Sequence, residues 1–347
     1  MKKSAFTTLL AATAALAVVA FADGAAWAQA KHVIRMSHGM PMEMSSNQHA
    51  YAVVFKEAVE AGSKGDIEVR ILGANQAGAE RQQIEKVQNG TNQMALVSEI
   101  TQPFFFKPTL VLGMPFLFGS SAVAWDVLDG PFGQRLNAEF QKATGVRVLN
   151  HMEAGFRSIF NSKKPVKTPA DLAGLKIRTG ENPVHLAMVK ALGANPTPIA
   201  WTEVYTSLQQ KVVDGMENPP GLFFAMKFYE HQKYLTVNRH LYSVHTAMIN
   251  EAFFQGLPKS YQQLINEAAA TALTIGRATN VLTERAAIEN LRGKGIEVYF
   301  PTDAEFAEFR KLGQPAGEAL VRKEIGDEWV NAAIKAVADS EKRIRGS

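Results

Sequence analysis

Apolar and polar positions alternate along this chain in short runs of period two and longer runs of period three to four. Val33-Ile34-Arg35-Met36-Ser37 reads as a first strand. Ser45 or Ser46 can cap a helix to about Ala61, with Val53, Val54, Ala58 and Ala61 on one face. Residues 66–72 alternate as a second strand, 80–88 form a helix that stops at Asn89-Gly90, and 93–97 form a third strand with Glu99 just past its end. This β-α-β-α-β succession is half of a doubly wound α/β domain. Phe104–Phe106 and Pro115–Phe118 are aromatic but broken by proline, so they are expected to fill core beneath a long loop. Helices over 122–128 and 132–144 lead to a strand over 146–150. The chain then crosses to a new unit at Gly155-Phe156-Arg157.

The second unit is organised around residues 174–220. Leu175–Thr179 is a short strand between Gly174 and Gly180, and the helix after it carries Val184, Met188 and Ala191 on one face. Pro196 and Pro198 break the chain. A further helix starts near Thr202, a suitable N-cap, and 212–216 forms a strand that opens into Asn218-Pro219-Pro220. Such a succession builds an open parallel sheet, whose strand ends face a ligand crevice. Arg178 and Asn218 both stand at such ends. Residues 223–230 read as helix and 242–250 as a strand returning to the first unit. One helical pattern runs from Pro258 to about Leu291, broken only by Gly276; at ~1.5 Å per residue it covers on the order of 50 Å, enough to cross two lobes. A strand over 296–300 and helices over 303–312, 316–322 and 328–342 finish the chain. The expected fold is α/β, with two lobes hinged about a cleft. The first takes residues 31–154 with about 244–284, the second 155–243 with about 285–347.

The N-terminus has another purpose. Lys2 and Lys3 precede an apolar run to Ala22, and Ala28-Gln29-Ala30 fits a cleavage site, so residues 1–30 read as a secretory signal peptide cut after Ala30. Loss of Lys2, Lys3 and Asp23 lowers the net charge from +4 to +3, with 35 basic against 32 acidic residues. So small an excess, without a basic block interleaved with aromatics, argues against nucleic acid. Cysteine is absent, which excludes disulfides and thiolate chemistry.

With these elements placed, GLKIR (174–178), NPTPIAWTEVYTSLQQ (195–210), VDGMENP (213–219) and the following FYE resemble the solute-binding subunit of TRAP (tripartite ATP-independent periplasmic) transporters, and the likeness covers the mature chain. The resemblance implies a periplasmic receptor of two α/β lobes with a long helix across both. Its partners would be a small organic anion and an ion-driven membrane permease. Most such receptors act alone; some dimerise through their C-terminal helices. The family's carboxylate-binding arginine falls at Arg178, its motif asparagine at Asn218 and its aromatic at Trp201, where Thr202 replaces a more usual serine. A second basic contact of some members falls at Arg157, and a carboxylate at the end of the third strand at Glu99. Thr179-Gly180-Glu181 departs from the common pair after the arginine. The chemistry agrees. A guanidinium matches a carboxylate with two parallel bonds, and Asn218 donates without adding charge. Trp201 can cover an apolar face. Glu99 can take a ligand hydroxyl or amine, or hold Arg157.

Two other readings compete. His32, Met36, His38, Met40, Met42 and Met44 form a soft-ligand cluster that suits copper in an exported protein. An enzyme would need a nucleophile or a metal motif, yet no G-x-S-x-G, H-E-x-x-H or Walker loop occurs, and His151, His185 and His245 are scattered. The sequence therefore points to a receptor that needs no cofactor.

Overall fold

The computed structural model describes residues 30–346, so all but the last residue of the expected signal peptide lies outside it. In chain order the elements are β1 (His32–His38), α1 (Asn47–Gly62), β2 (Ile67–Leu72), α2 (Glu80–Gln88), β3 (Met94–Ser98), α3 (Ser121–Asp129), α4 (Pro131–Thr144), β4 (Val146–Asn161), β5 (Lys176–Thr179), α5 (Pro183–Ala191), β6 (Asn195–Pro198), α6 (Val204–Gln209), β7 (Gly215–Asn218), α7 (Pro220–Ala225), β8 (Tyr234–Asn250), α8 (Glu251–Gly256), α9 (Lys259–Gly293), β9 (Glu297–Tyr299), α10 (Asp303–Ile325) and α11 (Asp327–Arg345).

The sheet runs β2-β1-β3-β8-β4-β7-β5-β6, with β9 also beside β8. β1, β2 and β3 are parallel, as are β7, β5 and β6. The antiparallel pair β4/β8 joins these two halves. The C-terminal end of β8 pairs with β3 and its N-terminal end with β9, while the C-terminal end of β4 pairs with β7. Both strands thus pass from one lobe to the other. The sequence pattern shows only their outer parts, 146–150 and 242–250. Glu153, Arg157, Asn238, His240, Ser243 and His245 are buried polar residues in these strands and hide the alternation. Register breaks near Glu153/Gly155 and Arg157/Ile159 disturb it further. The crossing expected at Gly155-Phe156-Arg157 is the strand itself.

Other differences have local causes. Pro196 and Pro198 do not break the chain but sit in β6, the outer strand, which pairs only with β5 and needs no N–H on its far side. β7 starts at Gly215 because Val212 is exposed. Thr202 caps nothing: a 3₁₀ turn over Trp201–Glu203 precedes α6. The helix expected over 223–230 divides into α7 and a 3₁₀ turn, since Lys227 has a left-handed φ of 57°. Of the phenylalanines assigned to the core, Phe116 and Phe118 are buried, but Phe104 is exposed.

α9 runs unbroken through Gly276, 35 residues covering about 52 Å. A Cβ at Gly276 would lie 2.2 Å from Met152 Sδ, so the glycine allows the helix to press on β4. α10 continues through Pro315 instead of dividing there, because Phe309, Gly313, Gly317 and Val321 form an unbroken buried stripe at four-residue spacing. One core packs Ile34, Met36, Tyr51 and Phe55 against Ile265 and Ala269 of α9. Another packs Ile177, Met188 and Leu192 against Phe309 of α10.

Candidate functional site

Between the lobes lies a cleft with about 680 Å³ of space outside atoms, part of it open to solvent. One wall comes from the β1–α1 loop, the starts of α1 and α2 and the end of β3, with Gly39, Gln48, Glu80, Arg81 and Ser98. The other comes from β5, β7 and the segment before α6, with Arg178, Trp201 and Asn218. Arg157, Ser243 and His245 of the crossing strands form the floor. Four of the five expected site residues therefore meet in one cavity; Glu99 does not line it.

Arg178 is 2% exposed. β5 points it along the strand ends, where its Nε and Nη2 donate to Ile199 O at 3.0 and 2.6 Å. Its Nη1 has no partner. The guanidinium carbon stands 5.8 Å from the Trp201 ring centre, a cation–π distance. Burial, then the nearby Arg157 charge, pulls its pKa down to about 10, so it stays charged at neutral pH. Asn218 ends β7, also buried, and its Nδ2 likewise lacks a partner. Two buried donors without a protein partner on one cavity are costly unless something accepts from them.

Trp201 is half-buried. Its Nε1 donates to Gly39 O of the opposite wall at 3.4 Å, and its ring meets Phe228 edge-on at 5.5 Å. It is cleft wall and core edge at once. Arg157 is an ion-pair partner that also lines the cavity. Its Nε and Nη2 bind the Glu217 carboxylate, the latter at 3.0 Å, and Nη2 also donates to Glu217 O at 2.7 Å. Burial opposes the Arg157 charge, but Glu217 outweighs it and the pKa is raised. Burial likewise opposes the Glu217 anion, yet Arg157 and the flanking histidines hold its pKa well below the ordinary carboxylate value.

Glu99 lies behind the floor, fully buried. Ser243 Oγ donates to it at 2.7 Å and the Val244 amide at 3.1 Å. With both oxygens turned to β8, it holds neither a cleft occupant nor Arg157 by a hydrogen bond.

Several residues here escaped the sequence reading. Glu217 is the acid of MENP, and a charge inside a four-residue buried strand demands a partner. His185 and His245 are not scattered. His185 lies 3.6 Å from Glu217 and 4.0 Å from Glu99, and His245 lines the floor. Burial, then Arg157, lowers the His245 pKa to about 3, so its ring is neutral. Glu80 accepts from Ser98 N and Oγ at 2.9 and 2.5 Å, and burial raises its pKa.

The soft-ligand cluster disperses. Met36 packs in the core, His38 contacts His49 at 3.2 Å, Met40 lines the cleft, and Met42 and Met44 are exposed. Among the described residues, no group of three or more His, Asp or Glu could hold a metal. The copper reading thus finds no support.

Comparison with known proteins places this geometry. The family model "Bacterial extracellular solute-binding protein, family 7" matches residues 38–324. The 2,3-diketo-L-gulonate-binding periplasmic protein YiaO of Escherichia coli is 34% identical over 265 residues, covering 76% of this chain and 80% of its own. The sugar acid binding protein DctPAm of Advenella mimigardefordensis, solved with galactonate, superposes with a TM-score of 0.85 at 31% identity, over 89% of this chain and 98% of its own. A TRAP periplasmic solute binding protein of Polaromonas sp. JS666, bound to D-erythronate, gives 0.82 at 33% identity, over 87% and 98%. The chain belongs to family 7 of the bacterial extracellular solute-binding proteins, the periplasmic receptors of TRAP transporters.

Proposed function

We propose that this receptor captures a small hydroxylated monocarboxylate, a sugar acid, and delivers it to an ion-driven membrane permease. One observation carries the reading. Of the cleft arginines, Arg157 is balanced by Glu217 and Arg81 stands 3.5 Å from Glu85, while Arg178 has no carboxylate partner among the described residues. One unbalanced cation suits one carboxylate. Asn218 Nδ2 takes another ligand oxygen, Trp201 covers an apolar edge, and Glu80, Gln48 and Ser98 opposite offer partners to hydroxyls. The sugar acids bound by the similar proteins have this combination of one acid and several hydroxyls.

The same proposal takes residues 1–30 as a signal peptide cleaved after Ala30. It places residues 31–154 with about 244–284 in one lobe and the rest in the other. The receptor acts as a monomer and leaves its ligand chemically unchanged. Among the described residues no helix is long and apolar enough to cross a membrane.

Calorimetry with galactonate, D-erythronate and succinate tests the assignment. The sugar acids are expected to bind and be recovered intact, and Arg178→Ala to weaken them about tenfold to 150-fold for each charge-assisted bond lost. Unchanged binding by Arg178→Ala defeats the site. Succinate binding more tightly than the hydroxy acids defeats the monocarboxylate reading.

A further inference from the structure

A second cavity lies on the other side of the crossing strands, between them and α9, with about 820 Å³ of space outside atoms, part of it open to solvent. It shares no lining residue with the cleft. Its walls come from β4, the β8 strand paired with it and the α9 helix packed on β4, with Ser121 of α3 and Phe300 after β9 at the rim. Gly155 of β4 stands beside it at φ +117°, and a Cβ there would lie 3.1 Å from Pro219 Cβ, 3.4 Å from Glu284 Oε2 and 3.6 Å from Asn280 Nδ2.

Several polar groups here lack partners. Ser158 is fully buried and Asn280 is 2% exposed; Ser158 Oγ and Asn280 Nδ2 both lack a hydrogen-bond partner and both line the cavity. Arg239 and Arg285 line it too, and neither makes an ion pair among the described residues. The placement of Arg239 is built into β8. Opposite Ser158, four residues of β8 from Val237 to His240 stand where the paired strand has one. This bulge holds Arg239 at a left-handed φ of 43°, a strained value for a residue with a side chain. It also sets the guanidinium 4.0 Å over the Phe156 ring. Such strain persists only where surrounding structure enforces it, and it clusters at functional sites. The two acids in the cavity are already engaged. Glu153 accepts from Ser121 Oγ and Trp125 Nε1, both at 2.9 Å, and Glu284 accepts from the Gly221 amide at 2.9 Å. Burial pushes both carboxyls up, Glu284 to about 8, which lessens the Glu284 charge at neutral pH.

We infer that this hinge cavity is a second binding site, for a small organic anion with an apolar body. Arg239 and Arg285 receive the anionic group. Ser158 and Asn280 bond its polar atoms, and Phe156, Val237, Ile288 and Phe300 cover the rest. Its existence does not depend on which solute fills the cleft.

The test is a titration of the full mature chain with benzoate, followed by backbone amide NMR. Saturable shifts are expected near residues 153–158, 237–239 and 280–288. Arg239→Gln, which removes an exposed side chain with no hydrogen bond, should weaken that response about tenfold or more, the loss of one charge-assisted bond. Arg178→Ala should leave it intact. Absence of saturable shifts around the hinge overturns the inference. So does a response unchanged by Arg239→Gln, or one centred on the cleft and abolished by Arg178→Ala.

Discussion

Replacing Glu217 by alanine strips Arg157 of its counter-ion where water does not reach. The two side chains are 3% and 0% exposed. The substitution removes two guanidinium–carboxylate hydrogen bonds. It leaves Arg157 only the backbone oxygen at position 217 and a long contact to Ser243 Oγ at 3.4 Å. His240 loses its acidic neighbour as well, and His185 keeps only Glu99 at 4.0 Å. Breaking a buried pair in this way costs about 3–5 kcal/mol, a large part of the 5–15 kcal/mol that holds an ordinary domain. Urea unfolding of the ligand-free mature chain, followed by circular dichroism, should show that loss. Arg157→Met combined with Glu217→Leu should recover much of it, since neither charge remains to be desolvated. A loss below about 1 kcal/mol in Glu217→Ala would refute the reasoning, because a pair so cheaply broken must be hydrated.

Three further outcomes follow from the same structure. Asn218→Ala should weaken sugar-acid binding about twofold to tenfold, the range for one neutral hydrogen bond; a calorimetric loss exceeding that of Arg178→Ala would invert their roles. Glu284 has an ordinary value of 4.5 and a folded value of about 8, so between these the folded chain keeps a proton that the unfolded chain releases. Stability should therefore fall as pH rises across that window, and Glu284→Gln should flatten the decline in thermal melts. A methyl at Gly317 would sit 2.3 Å from Pro115 Cδ, a rigid ring. Gly317→Ala should thus destabilise by about 1–3 kcal/mol despite its better helix propensity, and a higher melting temperature would contradict the packing.

Much of the fold is legible because its helices and outer strands obey their periods. The sequence pattern places β1, β2, β3, α1 and α2, although β3 is buried on both faces and α1 buries Tyr51, Ala52, Phe55 and Val59, one position off the expected Val53, Val54, Ala58 and Ala61 face. What it obscures is the middle of β4 and β8. There the two strands cross between lobes and line two cavities at once, so Arg157, Ser243 and His245 turn to the cleft while Phe156, Ser158 and Arg239 turn to the hinge. A strand with polar cavities on both faces has no apolar alternation to read. Pro315 misleads for a related reason. A proline normally ends a helix, but the buried stripe through Phe309, Gly313, Gly317 and Val321 carries α10 past it.

Where strand grammar and motif coincide, at Arg178 and Asn218, the expected residues do reach the cleft; what stayed illegible is which charge neutralises which. Arginines 157 and 178 look alike in sequence: each is followed by a small hydroxylic residue. The structure separates them by one neighbour. β4 and β7 pair so that Glu217 reaches Arg157, whereas Arg178 of β5 meets only the carbonyl of Ile199, just past the end of β6. A carbonyl orients a guanidinium without cancelling its charge. Arg157 is therefore fixed, balanced scaffolding at the cleft floor. Arg178 carries a positive charge that burial and Arg157 both disfavour, with Nη1 unoccupied. An arriving carboxylate relieves both penalties at once, and a neutral solute of equal shape relieves neither. Under the proposed function, selectivity for an anion resides in the charge that the fold leaves unbalanced, and Arg178→Lys should bind as poorly as Arg178→Ala, because an ammonium cannot donate to Ile199 and the ligand in one plane.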